Sequence, residues 1–157
     1  MLTKKIKLTL ILTCFALFAQ AQYKGQWRAL HAYELATKTP LFGMNFSAEY
    51  FPLHYLSVVP SYTVFLPATG KASSLEFNLR YYPFEKKKQV YGVAGFNSYF
   101  RDKEFDSMGK EVTQSLLIGT GGMFKFNSSL GFNPEIKYLL GPRNEFVFKL
   151  GVVYYIN

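Results

Sequence analysis

Nine ionisable residues carry most of the chemistry that this 157-residue sequence offers: Arg28, Glu34, Glu49, Glu76, Arg80, Lys125, Glu135, Lys137 and Lys149. Each stands on the polar side of a run in which apolar and polar residues alternate. Four acids and five bases nearly cancel, and a charge withdrawn from water is costly unless paired. Mutual ion pairing is the chemistry that such a set points to. Spacing makes it specific: a turn centred near Lys38 and Thr39 sets Arg28 opposite Glu49. Lys125 reaches Glu135 diagonally, while Lys137 and Lys149 fall side by side with Glu135 needed between them.

Constellations for catalysis are missing from the pattern. The sequence has two histidines. His54 sits beside Pro52 in a tight turn, and His31 shares a strand face with Trp27 and Tyr33. Neither has a Ser or Asp at a spacing that would make a nucleophile and base. No His/Cys/Asp/Glu group has metal-ligand spacing, so neither a metal nor another cofactor is expected. Ala68-Thr69-Gly70-Lys71-Ala72 has part of a phosphate loop but lacks the earlier glycine and the closing Ser or Thr. The one basic run, Lys86-Lys87-Lys88, reads as a solvated turn, because no basic stripe accompanies it to suit a nucleic acid.

Strands must position these groups. From Leu75 to Tyr82 the order Leu-Glu-Phe-Asn-Leu-Arg-Tyr-Tyr puts Leu75, Phe77, Leu79 and Tyr81 on one face and Glu76, Asn78 and Arg80 on the other. The same pattern returns from Phe146 to Ile156. Helical periodicity is not sustained anywhere after residue 21, and Tyr, Phe and Val dominate the apolar positions. Eight strands are predicted, over about 26–35, 42–51, 55–66, 73–84, 90–100, 112–126, 131–139 and 145–156. Pro60 predicts a bulge in the third. The fifth has the weakest phase, diluted by Gly92, Ala94 and Gly95. Gly119-Thr120-Gly121-Gly122 lies inside the sixth and makes room or curvature there.

The amino terminus reads as a secretory signal: Lys4, Lys5 and Lys7, an apolar run from Leu8 to Phe18, then Ala19-Gln20-Ala21. Cleavage is expected between Ala21 and Gln22, leaving a single domain over 22–157. The apolar run is too short for a membrane helix. Three of the 18 basic residues and the sole cysteine, Cys14, lie in this segment. The remainder therefore has 15 basic against 10 acidic residues, a net charge of +5, and no thiol chemistry.

An even number of strands with short connections predicts an all-β, eight-stranded, antiparallel up-and-down barrel. Its polar face is mostly Gly, Ser, Asn and Thr with one or two charges per strand. That is thin for a solvated exterior and suits a narrow, filled lumen. The apolar face is rich in aromatics, and Tyr33, Tyr50, Tyr55, Tyr81, Tyr99, Tyr138 and Tyr154 fall near strand ends, where rings suit a membrane interface. The barrel is thus expected to be transmembrane. Architecture and the two clearest strands make the chain resemble the small eight-stranded outer-membrane barrels, the group of OmpX and the transmembrane domain of OmpA. The late aromatic Tyr154 in the final strand is similar to the signal by which such barrels are recognised for insertion, although the chain ends Tyr155-Ile156-Asn157.

That resemblance implies an outer-membrane location, a monomer in contact with outer-membrane lipid, and no enzymatic activity. Lys38, Lys71, Arg101, Lys103, Lys110 and Arg143 fall in the connections on the outer side, where lipopolysaccharide phosphates would be met. A structural or surface-interaction role is expected, with a narrow passive channel and a soluble lipocalin-like carrier as the alternatives.

Overall fold

Because a strand sends successive side chains to opposite faces, eight alternating segments can close on themselves with one face wholly inside. The computed structural model describes residues 24–38, 41–67, 70–84, 88–102 and 111–156. The expected signal segment with Ala21 and Gln22, and the loop cations Lys103 and Lys110, lie outside them. The strands are β1 (Trp27–Ala36), β2 (Phe42–Tyr50), β3 (Leu56–Phe65), β4 (Lys71–Tyr81), β5 (Lys88–Asp102), β6 (Glu111–Lys125), β7 (Leu130–Leu140) and β8 (Glu145–Tyr155). Each pairs antiparallel with the next, and β1 pairs with β8 from Arg28↔Tyr155 to Ala36↔Val147, which closes the barrel. The start of β1 and the end of β8 share one end, called here the terminal end; the β1–β2, β3–β4, β5–β6 and β7–β8 connections share the far end.

β5 and β6 run further than their sequence pattern predicts. Their ladder continues to Arg101↔Glu111, so both residues belong to strands and only 103–110 connects them. The ladder also sets the phase of β5. Gln89, Tyr91, Val93, Asn97 and Tyr99 are buried inside, whereas Val90 and Phe96 are exposed outside. Tyr99 therefore corrects the expected interface set, since it faces the lumen.

Pro60 makes no bulge. Its pairing with β4 is continuous, Val59↔Asn78, Pro60↔Phe77 and Ser61↔Glu76. On the β2 side the ladder passes from Ser47↔Ser61 to Tyr50↔Val58 with two pairs missing and no change of register. The missing N–H of proline opens a gap without displacing the strand. Pro134 repeats this in β7: it pairs with Leu150 on β8, while the β6 ladder is interrupted between Gly121↔Glu135 and Phe124↔Phe132. Asn133 Nδ2 donates to the Gly122 carbonyl at 2.8 Å and satisfies the acceptor stranded there.

The two faces are unlike in the sense opposite to a water-soluble protein. Leu75, Phe77, Leu79 and Tyr81 are all exposed on the outside, as are Phe146, Phe148, Leu150, Val152 and Tyr154. Outward aromatics pack on one another, Trp27 with Tyr50 at 4.6 Å and Tyr33 with Phe42 at 5.3 Å between ring centroids. Inside, apolar side chains gather in two places. A thick cluster toward the terminal end includes Phe51, Tyr82, Tyr91, Met123, Val153 and Tyr155; a thinner one at the far end comprises Leu41, Phe65, Ala72 and Tyr99.

Inward glycines give these large groups room. A Cβ on Gly121 would strike the Tyr91 ring and lie 2.9 Å from the Pro134 carbonyl. A Cβ on Gly92, which faces outward, would meet nothing within 4 Å. Overpacking a filled interior costs about 1–3 kcal/mol. Gly121→Ala should therefore lower the unfolding free energy of the refolded barrel by about 1–3 kcal/mol, read as a fall in its denaturant midpoint. Gly92→Ala should leave the midpoint in place, and equal effects of the two changes would contradict this packing.

A candidate functional site in the lumen

Of the nine charged residues singled out by sequence, eight are buried in the lumen: Arg28, Glu34, Glu49, Glu76, Arg80, Glu135, Lys137 and Lys149. Four acids face four bases, and strand register stacks them in tiers along the barrel.

Nearest the far end, Lys137 from β7 crosses the lumen. Its Nζ donates to Glu34 Oε1 at 2.9 Å and to the two Glu76 oxygens at 3.1 and 2.8 Å. Glu76 also accepts from Asn97 at 2.9 Å, Asn78 at 3.0 Å and Ser61 at 3.5 Å. Thr63 completes the coordination of Glu34 at 3.0 Å. In the middle tier Glu135 Oε2 accepts from Arg80 Nη2 and from the Tyr91 hydroxyl, both at 2.6 Å. Its Oε1 lies 3.9 Å from both Lys137 and Lys149, so Glu135 does stand between the two ammonium groups.

The third tier is built on Glu49. Its Oε1 accepts from Ser57 and the Tyr82 hydroxyl, each at 2.6 Å, with Arg80 Nη1 at 3.6 Å. Arg28, the Cα partner of Glu49, brings Nη1 to 3.5 Å from Oε2. The Arg28 guanidinium also donates to Gln26, Gln89 and the Met123 sulfur, and stacks 4.4 Å from the Phe51 ring and 5.0 Å from that of Tyr155. A cation between aromatic faces is held by both their quadrupoles and their exclusion of water.

Lys125 departs from its expected place. It has the inward phase, but it is the last residue of β6, is exposed, and holds its Nζ 4.4 Å above the Tyr155 ring. Gly121, not Lys125, is the β6 residue opposite Glu135. The far end has its own lid, which the charge pattern missed. Arg143, from the β7–β8 turn, pairs with Glu145 at 2.5 Å and lays its guanidinium 4.3 Å from the Tyr99 ring. Glu145 further accepts the Lys38 backbone N–H at 3.2 Å.

Tyr82, Tyr91 and Tyr155 were also missed, and a signal for them exists. In Tyr81-Tyr82 and Tyr154-Tyr155 alternation forces one ring of each doublet inward. Tyr91 shares the phase of Asn97. His31 faces outward, 4.7 Å from the Phe46 ring, so it cannot meet the lumen charges. Among the described residues no group of three His, Cys, Asp or Glu could hold a metal.

A closed eight-strand antiparallel meander has counterparts among solved structures. The N-terminal β-barrel domain of Pseudomonas aeruginosa OprF matches with a TM-score of 0.71 at 17% identity, over 86% of this chain and 100% of that one. The fold is that of the small eight-stranded outer-membrane barrels. Ail of Yersinia pestis, in a phospholipid nanodisc, matches with a TM-score of 0.60 at 14% identity, over 85% of this chain and 100% of that one. A product of the de novo design of transmembrane β-barrels scores 0.66 at 15% identity, with 87% and 100% covered. A designed transmembrane barrel that scores between the two natural ones shows that the likeness belongs to the fold and not to a shared activity. No protein-family model and no curated relative matches the sequence.

The tiers predict unequal effects of charge removal. Breaking one partner out of a buried ionic set costs about 3–5 kcal/mol, because the other partner stays buried and unpaired. Lys137→Met, which strands Glu34 and Glu76, should lower the unfolding free energy of the refolded barrel by that order in a urea titration. Lys125→Met removes the same charge at the rim and should change it little.

Proposed function

We propose that this chain is a monomeric outer-membrane barrel that serves as a sealed structural element and presents its far-end loops at the cell surface. It is directed there by the signal segment, cut between Ala21 and Gln22. The observation that carries this reading is the inverted distribution of polarity. Phe77 is 57% exposed on the outside, while Arg80, Lys137 and Glu49 are fully enclosed. In water that arrangement would be unstable on both counts; in a bilayer it satisfies both. Six of the strands are 9–11 residues long, the length that crosses a bilayer at a barrel's tilt.

A soluble carrier needs an apolar pocket inside, and this interior is occupied by salt bridges and closed by side chains at both ends. Among the described residues the lumen carboxylates and cations are paired with one another and the buried hydroxyls Ser57, Thr63, Tyr82 and Tyr91 donate to those carboxylates, which supports a reading without catalysis. The passive channel is the reading with a specific observation behind it. Arg80 Nη1 and Arg28 Nη1 approach Glu49 only to 3.6 and 3.5 Å, looser than Arg80 on Glu135 at 2.6 Å or Lys137 on Glu76 at 2.8 Å, so the ion pairs of Glu49 are the looser part of the arginine-bridged plug.

The envelope fraction decides the central claim. The protein should sediment with outer membranes and change its gel mobility on boiling; recovery in the soluble periplasmic fraction would overturn it. In a planar bilayer the unaltered barrel should carry little or no current, and Glu49→Ala should raise single-channel conductance. Unchanged conductance in that variant would remove the channel reading.

A further inference from the structure

Polar side-chain atoms buried without a hydrogen-bond partner in the protein are spread unevenly around the lumen. β4 contributes Ser74 Oγ, Asn78 Oδ1 and Arg80 Nε, β5 contributes Asn97 Oδ1 and Tyr99 Oη, and β6 contributes Ser115 Oγ. Among the described residues the lumen faces of β1, β2 and β3 contribute one such atom, Glu49 Oε2. Asn45, Ser47, Ser57 and Thr63 on that side are all hydrogen-bonded to neighbouring side chains.

Register gathers the unpartnered atoms. Ser74 is the Cα partner of Tyr99, and Asn97 is that of both Glu76 and Ser115, so these groups adjoin across three strands. Asn78 and Asn97 donate their amide N–H groups to Glu76 at 3.0 and 2.9 Å, which turns both carbonyl oxygens away from it. From Ser74 to Arg80 the strand advances about 20 Å. At the lower end Glu135 Oε1 is without a hydrogen bond as well. Native folds rarely leave such groups unpaired; where the protein supplies no partner, solvent does.

Charge decides the class of solute. Glu34, Glu76 and Glu135 are balanced by Arg80, Lys137 and Lys149 within the same section of the lumen. At the mouth Arg143 is paired with Glu145, and Arg101 has the inward phase opposite Glu111. No surplus of either sign draws an ion, whereas hydroxyl and amide oxygens suit water.

We propose that the β4–β6 side of the lumen is a narrow blind well for water and small uncharged hydrogen-bonding solutes, entered from the far end past Phe65 and Tyr99 and stopped at the Arg80–Glu135 pair. The two ends differ as this requires. Phe65 and Tyr99, with 5.8 Å between ring centroids, and the Arg143 guanidinium form a thin lid of single side chains. Beneath the well lies the thicker cluster of Phe51, Tyr82, Tyr91 and Met123, in which the two tyrosine rings stand 5.1 Å apart. The barrel stays sealed, and the seal is this cluster and not the ion pairs above it.

A barrel refolded from the chain beginning at Gln22 has no cysteine, so single cysteines report access. Methyl methanethiosulfonate, a small uncharged reagent, should modify Ser74→Cys and Ser115→Cys at least about tenfold faster than Ser47→Cys, read by mass spectrometry. Ser47 is 9% exposed against 1% for Ser74 and 3% for Ser115, so static exposure alone predicts the reverse order. Adding Phe65→Ala should speed the reaction at Ser74→Cys, and adding Met123→Ala should not.

Urea titration of Ser74→Ala gives a second readout. A hydroxyl served by water loses hydrogen bonds on removal, so the midpoint should fall; a rise, the mark of an unpaired hydroxyl in dry surroundings, overturns the well. Equal or reversed rates at Ser74→Cys and Ser47→Cys overturn it too. Faster reaction with Met123→Ala than with Phe65→Ala overturns entry from the far end.

Discussion

Everything in this molecule depends on the pairing of β1 with β8. Until that seam closes, each alternating strand has two faces of equal standing; once it closes, one becomes an inside too narrow for water to solvate charge. Closure also removes the two exposed sheet edges that a row of apolar strands would otherwise offer to other chains. The small interior then dictates its own contents. Eight strands leave space for side chains and little more, so Arg28, Glu34, Glu49, Glu76, Arg80, Glu135, Lys137 and Lys149 have to satisfy one another.

How they do so follows from side-chain reach. Lys137 has the length to cross the lumen, so it unites acids from β1 and β4 that no adjacent-strand pairing would join. Arg80 likewise bridges Glu135 and Glu49, linking two tiers. The phenols of Tyr82 and Tyr91 serve these same carboxylates while their rings fill the space below. Apolar closure and ionic satisfaction are thus performed by the same residues at the terminal end. At the far end they are divided between Phe65 and Tyr99 on one hand and Arg143 with Glu145 on the other.

Much of the fold was legible in the sequence, because a period of two is a local property and survives in any strand with one polar face. The eight strands, their order and the facing of Arg28 with Glu49 all follow from counting by twos from recognised turns. What was not legible depends on height along the barrel or on partners distant in sequence. Lys125 has the right phase, yet it ends its strand and so emerges at the mouth. Tyr99 sits near a strand end, where an interface ring was expected, and only its register with Ser74 turns it inward. The effect of Pro60 could not be read because a gap and a bulge leave the same residue in the sequence; the intact pairing with β4 decides between them. Phe51 and Met123 have the inward phase, but a period of two does not tell that they close the terminal end.

The division between the two faces has a consequence for how such a chain diverges. On the outside one apolar residue serves nearly as well as another, since lipid tails make no directional demand, so those positions are free to drift. Inside, the constraint falls on a sum: Lys137 is tolerable only while Glu34 and Glu76 remain, and no single replacement that removes a charge keeps the total at zero. Change there has to come in compensating sets, each arriving at a different arrangement of charges that fills the same cylinder. Two lineages can then keep such a barrel while losing nearly every identity.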